Sequence, residues 1–224
     1  MNKYLTPFLL TTALISSLQA EYVETYFKHG EIKAQTHYID GTRTKTSEGI
    51  KDGIEKVYYE MGALAYVVNY VHGKRDGKLT WYDKQGKLLA TMNYKLGKLD
   101  GWERSYYPNG QIKHEVLYKN DLKEGEQKEY FDNGQLALVV KYVHGKKEGM
   151  QKEYTIDGKL YSEVMYKNNY KEGEQKWYDA KGNVTKTLFF KMDRPVEVMK
   201  EIEKSNSPDI TIKGIDFSPQ KPRD

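Results

Sequence analysis

The stretch that decides the fold runs from Gly125 to Gly149. Glu126-Gln127-Lys128-Glu129-Tyr130-Phe131 reads as a short strand, Asp132-Asn133-Gly134 as a hairpin turn, and Gln135 to Tyr142 as the returning strand. Asn-Gly tolerates the positive φ angles that tight two-residue turns need. Leu136, Leu138, Val140 and Tyr142 are spaced by two, so they share one strand face. Val143-His144-Gly145-Lys146-Lys147-Glu148 then turns the chain toward Gly149, where the pattern starts again. Gly53, Gly77, Gly101, Gly125, Gly149 and Gly173 are evenly spaced, 24 residues apart. Five residues after each stands a tyrosine (Tyr58, Tyr82, Tyr106, Tyr130, Tyr154, Tyr178), and a further column holds Tyr70, Tyr94, Tyr118, Tyr142, Tyr166 and Phe190. A diverged unit with Tyr26, Gly30 and Tyr38 precedes them across an eight-residue insertion at Thr42 to Gly49.

A fixed period of this size marks a repeat array, in which each unit buries its apolar face only against its neighbours. The fold expected is all-β: an elongated antiparallel meander of about seven 24-residue β-hairpin repeats over residues 21–193. At about 10 Å of sheet per hairpin, seven units span roughly 65–70 Å. One face is expected to carry the tyrosine columns with Leu64, Leu88, Ile112 and Val68, Val116, Val140. The other carries Val57, Trp81, Ser105, Glu129, Glu153 and Trp177 in one column, and Tyr59, Asp83, Tyr107, Phe131, Thr155 and Asp179 in another. In residues 194–224, Asp193 with Pro195 predicts a short capping helix near Pro195 to Lys204, with Val196, Met199 and Ile202 as its apolar stripe. An extended arm from Ile210 to Phe217 and a flexible tail follow.

Residues 1–20 are a different kind of sequence: one cation at Lys3, an apolar run from Leu5 to Ile15, and a small-residue end at Ala20. This reads as a secretory signal peptide cleaved after Ala20, too short for a membrane span, and predicts a periplasmic or secreted protein with no transmembrane segment in the mature chain. The chain has no cysteine, which removes lipoprotein anchoring, disulfides, thiol catalysis and thiolate metal sites. The formal charge is +4, and charges of both signs alternate along the chain; that is a solvated surface, not a nucleic-acid footprint. Twenty tyrosines argue against disorder.

No catalytic or metal constellation is legible, and no cofactor is expected. An acid precedes every regular unit (Asp52, Asp76, Asp100, Glu124, Glu148, Glu172). Its members lie about 10 Å apart, too far for two carboxylates to share one metal. Solvated turns with local ion pairs are the plainer reading beside an acidic ladder for cations or a basic partner. His72 and His144 share a turn column, three units apart. Trp81 and Trp177, one residue before a column tyrosine, are the candidate partner anchors, with Tyr107 and Phe131 beside them; tryptophan is a frequent binding hot spot. Against this stands the plainer reading that the second face is itself covered.

The unit Gly101-Trp102-Glu103-Arg104-Ser105-Tyr106-Tyr107-Pro108-Asn109-Gly110-Gln111-Ile112, closing on strings such as Tyr142-Val143-His144-Gly145-Lys146-Lys147-Glu148-Gly149, resembles the bacterial variant of the MORN repeat over residues 21–193. The resemblance implies an extended sheet of hairpins and a lipid- or protein-binding scaffold without catalytic residues. A bacterial branch labelled as the antitoxin of a toxin–antitoxin pair makes a toxin one candidate partner. Two functions are therefore carried forward: an exported scaffold that binds a protein as an antitoxin or immunity factor would, and a cell-envelope module for glycan or lipid. Asp121, Asn169 and Asp193 depart from the pattern by replacing glycine at the second turn.

Overall fold

The structure, a computed structural model, describes residues 21–44, 48–199 and 211–214. The expected signal peptide and the rest of the tail lie outside the described residues. Each regular unit is one hairpin: Lys51–Tyr58 with Leu64–Val71, Gly77–Tyr82 with Leu88–Lys95, Lys98–Tyr106 with Ile112–Lys119, Leu122–Tyr130 with Leu136–Val143, Gly149–Tyr154 with Leu160–Lys167, and Tyr170–Tyr178 with Val184–Lys191. We number them units 1 to 6. The diverged hairpin Glu21–Tyr26 with Ile32–Tyr38 precedes them. Every pairing is antiparallel and each hairpin pairs with the next, in one 18-stranded sheet with no helix among the described residues.

Two turn types alternate, and their assignment differs from the sequence expectation. At the first turn, Gly134 N–H donates to Phe131 O and Phe131 N–H to Gln135 O, both at 2.9 Å. This is a three-residue loop in which only Gly134 has positive φ (85°), so the Asn-Gly pair does not form a two-residue turn. The two-residue turns lie at the other end. His72-Gly73, Leu96-Gly97, Asn120-Asp121, His144-Gly145, Asn168-Asn169 and Met192-Asp193 all have positive φ at both residues, the mark of type I′.

These second turns explain the acidic column. Each acid accepts the first turn N–H of the same unit, 20 residues on: Leu96 N to Asp76 at 3.0 Å, His144 N to Glu124 at 2.9 Å, Asn168 N to Glu148 at 2.9 Å, Met192 N to Glu172 at 3.1 Å. The second turn N–H reaches a strand carbonyl, as Gly145 N does to Lys123 O at 2.8 Å. Where Asp121, Asn169 and Asp193 replace glycine, the side chain returns a bond: Leu99 N, Lys147 N and Lys171 N donate to them at 2.7, 2.7 and 2.6 Å. That bond offsets part of the cost of a non-glycine residue at positive φ. The insertion replaces one such turn. Ile39 N–H donates to Ile50 O, and the Thr42 hydroxyl both donates to Ile39 O and accepts Ile50 N–H.

The repeat glycines sit where the ladder between units is interrupted. Met92 pairs with Glu103 and Tyr94 with Leu99, which leaves Asp100, Gly101 and Trp102 opposite Asn93. Gly101 takes φ 119°, and a Cβ there would lie 2.8 Å from Asn93 Cβ. Bulges of this kind bend a strand and raise its twist, which a sheet this long needs.

A second irregularity decides which side chains share a face. Within each hairpin the register shifts just before the column tyrosine, as between Glu129 and Tyr130 or Trp177 and Tyr178. The Gly+5 tyrosines are therefore not on the face of the Val140 and Tyr142 columns, as the sequence suggested. Their hydroxyls reach the opposite face: Tyr58 to Gln35, Tyr130 to Glu115, Tyr178 to Glu163. We call that the ionic face. Glu115 there pairs in register with Arg104 and Lys128 and accepts Arg104 Nε at 3.0 Å. Burial pushes the Glu115 carboxyl up, but the Tyr130 hydroxyl and the Arg104 guanidinium outweigh it, leaving the carboxyl below its ordinary value.

The other face holds the core. Val68, Val116, Val140 and Val164 are at most 2% exposed although, among the described residues, no second layer covers them. Each valine pairs with Glu55, Glu103, Gln127 or Gln151. The roof is made by long cations: Lys123 and Lys147 lie 5.0 and 4.7 Å from the Tyr142 and Tyr166 ring centres and donate to Gln127 and Gln151. Lys51, Arg75 and Lys171 repeat the arrangement over Tyr70, Tyr94 and Phe190. Apolar stems over rings with the charge at the rim are a familiar use of lysine.

The C-terminal helix is corrected over its described part. Arg194–Met199 is a strand: Met192-Asp193 makes the same turn as every unit, and Lys191, Phe190 and Phe189 pair with Arg194, Pro195 and Val196. The local proline signal is overridden by an edge ready to be extended. Thr211–Gly214, within the expected arm, pairs with this strand; residues 200–210 lie outside the described residues.

Three outcomes test this packing. Gly101→Ala is expected to lower stability by about 1–3 kcal/mol, and more than Gly149→Ala, whose added Cβ meets nothing within 4 Å; urea unfolding of both variants compares them. Glu148→Ala should cost about 0.5–1.5 kcal/mol by freeing the turn N–H, and Glu148→Gln, which keeps an acceptor, less. For Glu115, a depressed folded value means stability that is present above the ordinary 4.5 and lost as pH falls through the folded value. The stability gap between wild type and Tyr130→Phe should therefore be full at neutral pH and shrink below pH 4.5; a gap unchanged into acid would refute the link.

Candidate functional site

On the core face, one row crosses all six regular units in unbroken register. It reads Val57, Tyr66, Trp81, Ala90, Ser105, His114, Glu129, Leu138, Glu153, Ser162, Trp177, Lys186, each residue paired with the next on the neighbouring strand. The adjacent valine row repeats its pairing with glutamate or glutamine, with the Leu79 and Met92 pair of unit 2 as a departure, whereas this row differs from unit to unit. Variation concentrated in one line of a repeated scaffold is where a particular surface is written.

Trp81 and Trp177 both belong to this row. They lie on the same face as the core, not opposite it, because of the register shift before each column tyrosine. Trp81 stacks on Tyr66 at 5.3 Å and 25°, and is 40% exposed. The Tyr66 hydroxyl donates to Glu55, and burial and that carboxylate together raise its pKa. The indole is thus an exposed aromatic surface on a fixed base. Trp177 is half-buried, with the Lys186 ammonium 5.1 Å over its ring. Four units separate the two tryptophans, about 40 Å of sheet, so they do not form one site.

Tyr107 and Phe131 are brought together, but elsewhere. They occupy neighbouring first turns and, with Pro108, Asn109 and Asp132, line a shallow depression at the sheet's margin. Tyr107 is tied down: its hydroxyl donates to Tyr130 O at 2.7 Å. Tyr59 does the same to Tyr82 O, so the column has a structural task in joining units.

Sequence reading missed the middle of the row. Ser105, His114 and Glu129 stand side by side on three adjacent strands, in the order of a nucleophile, base and acid. No hydrogen bond joins them. Burial pushes the His114 imidazole down, while Glu103 and Glu129 act in the opposite sense. The three are nine and fifteen positions apart in sequence, and only the cross-strand pairing aligns them. Among the described residues no group of three histidine or acidic side chains converges to hold a metal. What the row offers is an aromatic anchor at one end, hydroxyl, imidazole and carboxylate groups in the middle, and a cation-capped ring at the other.

Comparison with known proteins places this architecture. No curated protein matches the chain. Among solved structures, "Crystal structure of GtfA/B complex bound to UDP and GlcNAc" aligns at 16% identity over 55% of this chain, spanning 24% of that one, and its TM-score of 0.22 carries no argument. The profile of the MORN repeat variant matches residues 51–72, 75–96, 99–120, 123–144, 147–168 and 171–192, each window ending at the first residue of the second turn and all but the third, which begins at Leu99, starting at a roofing cation. Six consecutive matches span more than half of the residues, and the chain belongs to the MORN repeat variant family.

Proposed function

We propose that this protein is an exported, non-catalytic repeat scaffold that holds another protein along the irregular row of its core face. The supporting observation is Trp81. An indole pre-ordered by stacking on Tyr66 and left 40% exposed loses little side-chain freedom on binding, which is what makes aromatic anchors effective. The leader-like residues 1–20 support export. The toxin partner implied by the antitoxin branch is the sharper form of the same reading.

The test is a quantitative pull-down from cell-envelope extract with wild type, Trp81→Ala and Trp177→Ala, after each variant is shown to fold. A specific protein is expected on the wild type and to be weakened roughly thirtyfold by Trp81→Ala, the equivalent of about 2 kcal/mol. Trp177→Ala should matter less, since that ring is half-buried where Trp81 is exposed. Equal capture by all three proteins would remove the row as the site. Recovery of lipid alone would move the reading to an envelope-binding module.

A further inference from the structure

The ionic face carries a recess that the protein-binding reading does not use. The bulge between units 2 and 3 bends the sheet at Gly101, and the missing Cβ leaves a hollow of about 520 Å³. It is a shallow groove open to solvent, which leaves room for a ligand laid along the surface rather than enclosed. Its walls include Asp76, Asn93, Lys95, Asp100 and Trp102. Trp102 is 38% exposed, and the Arg104 guanidinium sits 4.8 Å over its ring. Arg104 is held in turn by Glu115 at 3.0 Å, so the indole has a fixed back.

The polar groups around this platform are half used. Asn93 Nδ2 donates to Trp102 O at 2.8 Å, leaving Asn93 Oδ1 open. Asp76 Oδ2 accepts Leu96 N–H at 3.0 Å and Asp100 Oδ2 accepts Asn120 N–H at 3.3 Å, leaving Oδ1 of each open. Lys95 makes no ion pair among the described residues. Open acceptors, a free ammonium and an indole with one N–H and an exposed apolar surface therefore converge on one hollow.

We propose that this recess binds a short neutral oligosaccharide. A pyranose has a C–H face to lay on the indole and hydroxyls that donate to carboxylate and amide oxygens while accepting from an ammonium. An anionic ligand would meet the two carboxylates. An organic cation would find Arg104 already over the ring and Lys95 at the wall. A purely apolar ligand would strip water from acceptors it cannot satisfy. Position alone is not enough: the matching hollow between units 5 and 6 is lined by Met150, Met165, Glu172 and Lys176 and has no aromatic platform.

The experiment uses the whole chain with cellotriose, chitotriose and maltotriose, read by saturation-transfer NMR on the sugar and by calorimetry. At least one trisaccharide is expected to bind saturably at millimolar concentration. Trp102→Ala should weaken it at least about tenfold and Trp102→Phe, which keeps a ring and is the safer fold, several-fold; Trp81→Ala, on the other face, should leave it unchanged. No saturable binding by any of the three sugars, or binding that survives both Trp102 variants, overturns the proposal. Because the recess and the irregular row lie on opposite faces, loss of one activity is distinguishable from loss of the other.

Discussion

A sheet on which no other described residue packs must supply its own roof, and the rest of this structure follows from that constraint. Burying a valine needs neighbours on all sides, and here they come from the two flanking columns. Glutamine or glutamate stands across the strand, tyrosine stands two residues along, and a lysine stem is laid over the tyrosine ring. Because each part is drawn from an adjacent strand, the core has no centre. It is a line of small clusters, each one unit wide, and stability is shared among neighbours rather than stored in one place. Crowding like charges into that roof has a visible effect: Lys147 is pulled below its ordinary pKa by burial and by Lys123 and Lys171 on either side.

The period, the hairpins, both turn positions and the insertion were legible because they depend on local spacing alone. Facing was not. One residue inserted beside Glu129/Tyr130, and again in every unit, reverses the parity that a period-two reading assumes. It moved the Gly+5 tyrosines to the ionic face and Trp81 and Trp177 to the core face. The acids before each glycine were visible as a column, but their role was not, since the bond to Asn168 N–H or Met192 N–H closes a loop of 20 residues. The helix expected at Pro195 shows the opposite failure. A valid local signal lost to the pairing energy of the edge left by Val184–Lys191.

Regularity and irregularity divide the labour on each face. On the core face the valine and tyrosine rows repeat, while the row from Val57 to Lys186 changes chemistry at every step. On the ionic face the carboxylate and hydroxyl contacts of Glu115 and Glu163 recur, while the bulge recess between units 2 and 3 is furnished differently from that between units 5 and 6. A scaffold of this kind largely separates the residues that hold it up from those that can specify a ligand, with Ser162, 2% exposed within the irregular row, serving the packing.

The stacked turns have a consequence for how such a chain changes length. Each unit presents to its successor the same backbone donors and acceptors that it receives from its predecessor. A tandem duplication or deletion of 24 residues therefore leaves the backbone bonds between units satisfied, while side-chain bonds such as that of Tyr107 to Tyr130 O depend on which unit is copied. Length becomes a heritable variable that can drift without passing through an unfolded ancestor. The insertion at Thr42 to Gly49 marks the other tolerated kind of change, since it enlarges a turn and leaves the strands on both sides in step.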